Sequence, residues 1–382
     1  MIRSLMRSVA LCFAGLAGLA AASAGAQAQA KEPVSVAIIS FSPYSAWYIV
    51  KEKNLAPTID LDVKIIEGIT EKNAAITSGQ VQCMNNTLDS MVAGRSGDLP
   101  VKVVAFSNMS YGLDKMIVAE GINTIEDFKG KSFGADFGFL NHMWMLLTLQ
   151  RAGIDPSELN HVTLLPQESA AAFSSGGLDI DVNYEPFASQ SLKRAGAKIF
   201  KSSLDDRTWE RGLISDAIAC NEDWMKAKPE TAKELLRAWF EAVNWWKDNP
   251  AEGNAIVAKG LGWPESDVRL NQNGAVMLNI TQNLGAFGLP GGKPLCEDLP
   301  PEAPRPPEGS KGWGALFDGK DCEAGYAFPT WDLFSKTYLK AGVIQKDVPS
   351  ADGYDATILK QLAEEKYQDK YGSNHWIGRL GL

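Results

Sequence analysis

In the segment IIEGITEKNAAITSGQVQCMNNTLDSM, residues 65–91, a predicted strand is followed by a polar loop and a helix, and this succession occurs twice. The first strand breaks at Gly68, and Thr70 in the loop after it is a candidate helix N-cap. The second strand, residues 81–84, runs into the polar residues 85–87, which are typical of loops and N-caps. Because ligands bind outside the carboxyl ends of strands in open α/β sheets, this order predicts a ligand-binding crevice.

The same segment resembles the periplasmic solute-binding proteins of ABC importers for nitrate, taurine, alkyl sulfonates and thiamine precursors, the NMT1/THI5-like proteins. Gly-Ile-Thr after the first strand, the helix of small residues, and SGQVQ followed by Asn-Asn-Thr carry the resemblance. Gln82 stands where that family commonly has Asp. The resemblance extends over residues 34–290 and again over residues 331–359. It implies an α/β protein with the two-lobed periplasmic binding protein fold of type II. In that fold a hinge of two crossings joins the lobes, and each lobe is a mostly parallel sheet flanked by helices.

The order of the predicted strands and helices divides the chain into six segments. These are a signal peptide (1–30), the first part of lobe 1 (31–110), lobe 2 (111–215), a helical second part of lobe 1 (216–287), a Pro- and Gly-rich insertion (288–330), and carboxyl-terminal helices with a tail on lobe 1 (331–382). The insertion departs from the family pattern, because its proline cluster at residues 300–307 excludes a helix or a central strand.

The first 30 residues predict a cleavable signal peptide. Arg3 and Arg7 precede an apolar run at residues 8–22, and residues 28–30, Ala-Gln-Ala, form a small-x-small cleavage pattern. We therefore expect the mature chain to begin at Lys31 and to be located in the periplasm.

Four cysteines follow the predicted signal peptide, an even number for an oxidising compartment, and they permit three pairings. Cys296 and Cys322 flank the Pro- and Gly-rich insertion, and we expect them to form a disulfide bond. Cys83 and Cys220 lie in predicted strands, where they either form a second bond or serve as small core residues.

Composition and motifs argue against several classes of function. The 382-residue chain has a formal net charge of −9 and its 37 Lys and Arg are scattered, which argues against a nucleic-acid partner. None of its three His lies beside a Ser or Cys nucleophile signature, and no common catalytic or nucleotide-binding motif occurs. We therefore expect a protein that is not an enzyme and needs no cofactor. The sequence contains no cluster of His or Cys at the spacing of metal ligands, so it also predicts no metal site.

The loops at the carboxyl ends of the predicted strands interleave polar and aromatic residues. Turn and cap formation explains the polar residues but not the aromatic ones, so these loops predict a concave binding site. The candidate ligand-binding residues are Ser42, Tyr44, Trp47, Thr70, Asn86, Thr87, Asn108, Asp136, Phe139, Asn141, Gln167, Asn183, Tyr184 and Glu185.

The charged residues of these loops bear on the class of ligand. They include Asp89, Asp136, Glu168 and Glu185, with no Arg and only Lys72 nearby. Carboxylates beside aromatic rings favour a ligand that carries an amine or another cationic nitrogen, with Glu185 meeting the cation. An anion held by helix N-terminal amides is the alternative.

The resemblance and the loops together predict the substrate-binding component of a periplasmic ABC transporter. It would capture a small polar organic solute, of the taurine, sulfonate, nitrate or thiamine-precursor type or amine-bearing, and deliver it to a permease and its ATPase. We expect a monomer that meets the membrane only through the permease. The alternatives are an enzyme on the same fold, either pyrimidine-synthase-like or a periplasmic dehydratase, and a sensor partner that presents the ligand to a receptor.

Overall fold

Eleven strands and fourteen α-helices occur in residues 30–380, the part of the chain that the computed structural model describes. The strands are β1 (Glu32–Ile38), β2 (Ile59–Ile65), β3 (Cys83–Thr87), β4 (Val101–Ser110), β5 (Asp114–Val118), β6 (Ser132–Ala135), β7 (Asn160–Thr163), β8 (Ile180–Tyr184), β9 (Lys198–Ser202), β10 (Ser215–Asn221) and β11 (Ala275–Met277). The helices are α1 (Ala46–Glu52), α2 (Ile69–Thr77), α3 (Leu88–Ser96), α4 (Leu140–Ala152), α5 (Pro166–Ser174), α6 (Phe187–Ser191), α7 (Glu222–Ala227), α8 (Pro229–Asp248), α9 (Pro250–Leu261), α10 (Glu265–Gln272), α11 (Ile280–Ala286), α12 (Ala327–Lys340), α13 (Thr357–Glu364) and α14 (Gln368–Tyr371). None of these helices has the length and apolar character that crossing a membrane requires. The predicted signal peptide lies, apart from Ala30, outside the described residues.

The strands form two sheets. The first has the order β11-β4-β10-β3-β1-β2, and the second has the order β7-β6-β8-β5-β9. In each sheet the parallel pairs lie on one side. In the first sheet β1 pairs in parallel with β2 and with β3, and in the second sheet β6 pairs in parallel with β7 and with β8. The other pairs are antiparallel. The predicted α/β fold with two helix-flanked sheets is confirmed. The sheets are mixed rather than mostly parallel, because the strands next to the crossings between sheets run opposite to their neighbours.

The chain crosses between the two sheets twice. It leaves the first sheet at Ser110, the end of β4, and enters the second at Asp114, the start of β5. It returns between Ser202, the end of β9, and Ser215, the start of β10. The hydroxyl of Ser110 in the first crossing lies 2.7 Å from the hydroxyl of Ser203 in the second. The two crossings therefore lie side by side and bring the ends of both sheets together.

Strand β10 pairs antiparallel with β3 on one side and with β4 on the other. Asp216 lies opposite Thr87 of β3 and opposite Asn108 of β4. At the far end of β10, Cys220 lies opposite Cys83 and forms a disulfide bond with it. Because a slip of one residue would turn the side chains of a strand to the other face of the sheet, this bond opposes a displacement of Asp216.

The Pro- and Gly-rich segment of residues 288–326, which we call the strap, contacts elements of both sheets. On the side of the first sheet, Gln282 of α11 donates a hydrogen bond from Nε2 to the carbonyl of Asp298 (2.8 Å). On the side of the second sheet, the indole of Trp313 donates to the carbonyl of Asp206 (2.8 Å), and Trp313 is fully buried. The last residues of the predicted insertion, 327–330, belong to helix α12.

Both candidate disulfide pairs are bonded in the structure. The Cys296–Cys322 bond closes a stretch with a sequence separation of 26 within the strap. The Cys83–Cys220 bond spans a separation of 137 and joins two strands of the first sheet, so these two residues are more than small core side chains.

We expect the two bonds to contribute unequally to stability. In the chain-entropy picture, the bond with a separation of 26 contributes about 3.5 kcal/mol and the bond with a separation of 137 contributes about 5 kcal/mol, because the longer loop has more conformations to lose. The Cys83→Ser/Cys220→Ser variant should therefore unfold at a lower guanidinium concentration than the Cys296→Ser/Cys322→Ser variant, as measured by tryptophan fluorescence. The reverse order of midpoints would show that local packing, and not loop entropy, dominates.

Candidate ligand-binding site between the two sheets

A small cavity lies where the two sheets meet at the crossings. From the first sheet, the lining residues come from the loop after β1, the ends of β3 and β4, and the start of β10. From the second sheet, they come from the start of β5, the end of β8, the turn before α4 and the first residue of α4. They are Ile39, Phe41, Tyr44, Thr87, Asn108, Ser110, Leu113, Asp114, Phe139, Leu140, Tyr184, Ile214 and Asp216.

Strand pairing builds two walls of the cavity. In the first sheet, Asp216 lies between Thr87 and Asn108 on the neighbouring strands. In the second sheet, Asp114 lies opposite Tyr184 on β8. All five residues line the cavity, and each wall therefore places one carboxylate beside a polar or aromatic neighbour.

Aromatic rings from both sheets meet at the cavity. Phe41 lies 5.0 Å from Tyr44 and 5.5 Å from Tyr184, measured between ring centroids, and both contacts are edge to face. Phe139, from the turn before α4, adds a further ring to the lining. Phe41 and Tyr44 follow β1 of the first sheet, whereas Tyr184 ends β8 of the second. The edge-to-face contacts fix the ring planes across the junction of the sheets.

The two carboxylates of the lining are almost completely buried, Asp114 at 4% exposure and Asp216 at 6%. Burial raises the pKa of Asp114 to about 7, although a hydrogen bond with Ser110 acts in the opposite direction. Burial, followed by the charge of Asp114, raises the pKa of Asp216 well above its ordinary value. Tyr44 and Asn108 form hydrogen bonds with the Asp216 carboxylate that offset this rise in part.

Glu185, the residue that the sequence predicts to meet a cationic ligand, has partners within the protein. Its carboxylate forms an ion pair with Lys115 (2.7 Å) and accepts a hydrogen bond from the main-chain N–H of Ser189 (3.0 Å). Glu185 is not among the lining residues of the cavity, and its contact with a ligand stays a prediction. Asp114 and Asp216 occupy the positions at which carboxylates face the cavity.

The structure brings five of the predicted site residues to the cavity wall. These are Tyr44, Thr87, Asn108, Phe139 and Tyr184. The others, which lie outside the lining, are Ser42, Trp47, Thr70, Asn86, Asp136, Asn141, Gln167, Asn183 and Glu185.

Several of the remaining polar residues hold neighbouring elements in place. Ser42 donates a hydrogen bond to Asn271 (3.3 Å), Asn141 donates to the carbonyl of Val182, and Asn183 donates to the carbonyl of Pro166 (2.8 Å). These bonds give the buried polar groups of neighbouring elements their partners within the protein.

Three of the predicted site residues lie in the core or on the surface of the protein. The indole of Trp47 donates to Asn85 (2.7 Å) and its ring lies 4.6 Å from that of Trp239, so Trp47 belongs to the core. Thr70 and Gln167 are exposed to solvent. Thr70 is also not an N-cap, since α2 begins at Ile69 after Gly68. Ile69 packs against the core, and this tertiary contact places the start of the helix one residue before Thr70.

Helix α12 reaches the site from the carboxyl-terminal part of the chain. The hydroxyl of Tyr338 donates to Asp89 of α3 (2.5 Å) and lies 3.3 Å from the carbonyl of Phe139. Both Tyr338 and Asp89 are fully buried, and burial raises the pKa of Asp89 to about 6. Tyr338 thereby connects α3, which follows the first sheet's β3, to the turn that follows the second sheet's β6.

The sequence contained a signal for the two carboxylates that the loop pattern missed. Asp216 follows Leu213 and Ile214 and precedes the run Ala-Ile-Ala at residues 217–219, and Asp114 begins a strand that continues as Met-Ile-Val at residues 116–118. A carboxylate within an otherwise apolar strand is rare unless it has a partner or a function. That signal points to Asp114 and Asp216 independently of loops.

No group of three or more His, Cys, Asp or Glu in residues 30–380 has an arrangement that could hold a metal ion. The chemistry available at the cavity is therefore that of carboxylates, hydroxyls, one amide and aromatic faces.

Two helix-flanked sheets joined by two crossings, with an enclosed site at the junction, define the periplasmic binding protein fold. The structure resembles the periplasmic aliphatic sulphonate binding protein SsuA from Escherichia coli with a TM-score of 0.62, at 16% sequence identity, over 85% of this chain and 92% of that one. It also resembles the periplasmic nitrate-binding protein NrtA from Synechocystis with a TM-score of 0.60, at 14% identity, over 90% of this chain and 92% of that one. At these identities the likeness concerns the fold.

The NMT1/THI5-like family model matches residues 44–253, more than half of the chain, and the chain belongs to this family. The taurine-binding periplasmic protein of Escherichia coli is 26% identical over 200 residues, which is 51% of this chain and 62% of that protein. The chain thus matches less than two thirds of the length of this relative. The family resemblance seen in the sequence is confirmed.

We expect Asp114 to lower the stability of the folded protein at neutral and alkaline pH. Burial raises its pKa from 3.8 to about 7, so the folded state binds a proton that the unfolded state has released, and stability falls as the pH rises through this interval. Asparagine has no charge to desolvate. The Asp114→Asn variant should therefore be more stable than wild type by about 2 to 4 kcal/mol at pH 8, with a difference that shrinks toward pH 4.

Urea unfolding at several pH values measures this difference. The matched control is Asp60→Asn, which removes an exposed carboxylate from strand β2. A stability difference for Asp114→Asn that does not change with pH would contradict the predicted cost of the buried charge.

Proposed function

We propose that this protein is the substrate-binding component of an ABC importer in the periplasm. It captures a small organic solute and delivers it to a permease that an ATPase drives. The observation that carries the proposal is the cavity that takes its lining from both sheets at the two crossings. A solute there touches both halves of the molecule at once.

The comparisons support a binding role over catalysis. The relative and the two solved structures described above are named for the binding of taurine, sulphonate and nitrate in the periplasm. An enzyme on the same fold is therefore not favoured.

The two sheets with their helices are the centres of two lobes in this proposal. The first crossing, between Ser110 and Asp114, has few residues to absorb a rotation, and the second, between Ser202 and Ser215, runs beside it. Because the solute contacts both sheets, it binds the closed arrangement more tightly and shifts the equilibrium toward it.

A solute screen followed by reconstitution tests the importer role. Thermal-shift measurements with taurine, alkyl sulfonates, nitrate, thiamine pyrimidines, amines and quaternary ammonium compounds should yield a hit, since a ligand at one hundred times its dissociation constant stabilises the fold by about 2.7 kcal/mol. In proteoliposomes that contain the permease and its ATPase, uptake of the hit should require both ATP and this protein. Chemical conversion of the hit by the protein alone would instead identify an enzyme.

Small-angle X-ray scattering tests the closing motion. We expect the radius of gyration to decrease when the hit from the solute screen saturates the protein. The exposed-site variant Thr70→Ala should show the same decrease, because Thr70 lies outside the cavity lining. An unchanged radius at saturation would mean that the lobes do not move or that the solute contacts one of them only.

A further inference from the structure

The charge of the cavity differs from what an anionic solute requires. Its lining contains the two carboxylates of Asp114 and Asp216 and contains no Lys, Arg or His. Asp89, buried behind the lining, adds a third carboxylate whose charge acts on Asp216 and on Tyr44. The raised pKa values of Asp114 and Asp216 mean that these carboxyls hold protons in part at neutral pH, and an entering cation favours their ionised form.

The nearest cationic side chains have partners elsewhere. Lys115 forms its ion pair with Glu185 (2.7 Å) outside the lining. Lys72 is fully buried and donates from Nζ to the carbonyl of Asn85 (3.2 Å), and burial lowers its pKa to about 8. Glu67 and Asp216 lie within electrostatic range of Lys72 and favour its charged form. Neither Lys72 nor Lys115 is among the residues that face the cavity.

The aromatic rings add a second type of contact. Phe41, Tyr44, Phe139 and Tyr184 all belong to the lining, and the faces of such rings attract cations through their quadrupoles. Ring faces also shield the carboxylates from water. Aromatic rings beside carboxylates thus bind cations by two mechanisms.

A buried acceptor next to the lining has no donor. Asn141 is 3% exposed and follows the lining residue Leu140 in the first turn of α4. Its Nδ2 donates to the carbonyl of Val182, which leaves Oδ1 without a hydrogen-bond partner among the described residues. The carboxyl groups of Asp114 and Asp216 in the lining are acceptors, and they favour a solute with N–H groups to donate.

From these observations we propose that the solute is a small organic cation with N–H donors, an amine or an amidinium, held between Asp114 and Asp216 and against the aromatic rings. The inference rests on the proposed binding function and specifies its ligand class. Asp114 belongs to the second sheet and Asp216 to the first, so a cation that donates to both carboxylates joins the two halves of the molecule. It therefore supplies the charge-assisted contacts that hold the closed arrangement.

Calorimetric titration with matched probes tests the ligand class directly. Acetamidinium and neutral acetamide have nearly the same shape, and ethylammonium and ethanesulfonate have the same alkyl group with opposite charges. We expect both cations to bind with dissociation constants at least tenfold lower than those of acetamide and ethanesulfonate. Tetramethylammonium, a cation without N–H donors, should bind more weakly than ethylammonium if the carboxylates accept hydrogen bonds.

Variants locate the contacts. Asp114→Asn and Asp216→Asn keep the size of each side chain and remove its charge, and each should weaken cation binding at least tenfold. Asp60→Asn, on an exposed position of β2, should leave it unchanged. Tighter binding of ethanesulfonate or nitrate than of any cation, with a further gain in the two cavity variants, would overturn the proposal.

Proton linkage in the wild-type protein gives a test that needs no variant. Without ligand, burial raises the pKa of Asp114 to about 7, and the groups that act on it are Ser110, Lys115 and Glu185. Those that act on Asp216 are Asp114, Asp89, Tyr44 and Asn108. A bound cation favours the ionised carboxylates, so cation affinity should rise between pH 5 and pH 8 and protons should be released on binding. Buffers of different ionisation enthalpy measure that release.

An anionic solute would show the opposite linkage, with proton uptake and an affinity that falls as the pH rises. That result would overturn the cation proposal. It would leave the importer role intact, because the uptake assay in proteoliposomes works with a bound solute of either charge. A protein that binds none of the probes and none of the screened solutes would contradict both proposals.

Discussion

The antiparallel placement of β10 between β3 and β4 is the constraint on which the site depends. This pairing sets Asp216 between Thr87 and Asn108, and all three side chains line the cavity. The main-chain hydrogen bonds of two neighbouring strands determine that register, and the Cys83–Cys220 bond crosses it at the other end of the strand. A slip of β10 by one residue would turn its side chains to the opposite face of the sheet. The register of β10 therefore decides whether the cavity wall contains the carboxylate of Asp216.

The second wall follows from the first crossing. Ser110 ends β4 and Asp114 begins β5, so a strand of the first sheet and a strand of the second meet within a few residues. The pairing of β5 with β8 then brings Tyr184 opposite Asp114. The two carboxylates act on one another through a region of low polarity, which is why the charge of Asp114 contributes to the raised pKa of Asp216. A site that brings two carboxyls together in this way makes their ionisation costly in the empty protein.

The carboxyl-terminal third of the chain also contributes to the site. Residues 44–253 match the family model, whereas Tyr338 of α12 lies beyond that range and contacts both Asp89 and Phe139. The strap holds Trp313 against the loop of Asp206 that leads from β9 to β10. Because part of the site's surroundings comes from outside the matched region, the ligands of relatives are a poor guide to the ligand of this chain. The charge of the lining is a more direct guide.

The amino-acid sequence by itself determined the class of fold and the general position of the site. The repeated order of strand, polar loop and helix is a local pattern, and it is enough to predict two sheets with a crevice at the strand ends. The aromatic residues of the loops, which a turn does not need, include Tyr44, Phe139 and Tyr184, and these three line the cavity.

Only the tertiary structure decided which carboxyl groups line the cavity. The loop pattern favoured Glu185, but Lys115, which is 70 residues distant in the sequence, neutralises it. It also favoured Trp47, which packs against Trp239 because a core contact buries more apolar surface than a cleft does. Asp114 and Asp216 lie in strands, where the face of a side chain depends on pairing partners far along the chain. Local sequence patterns indicate which secondary structure a residue favours. Strand register and long-range pairing determine which side chains it contacts.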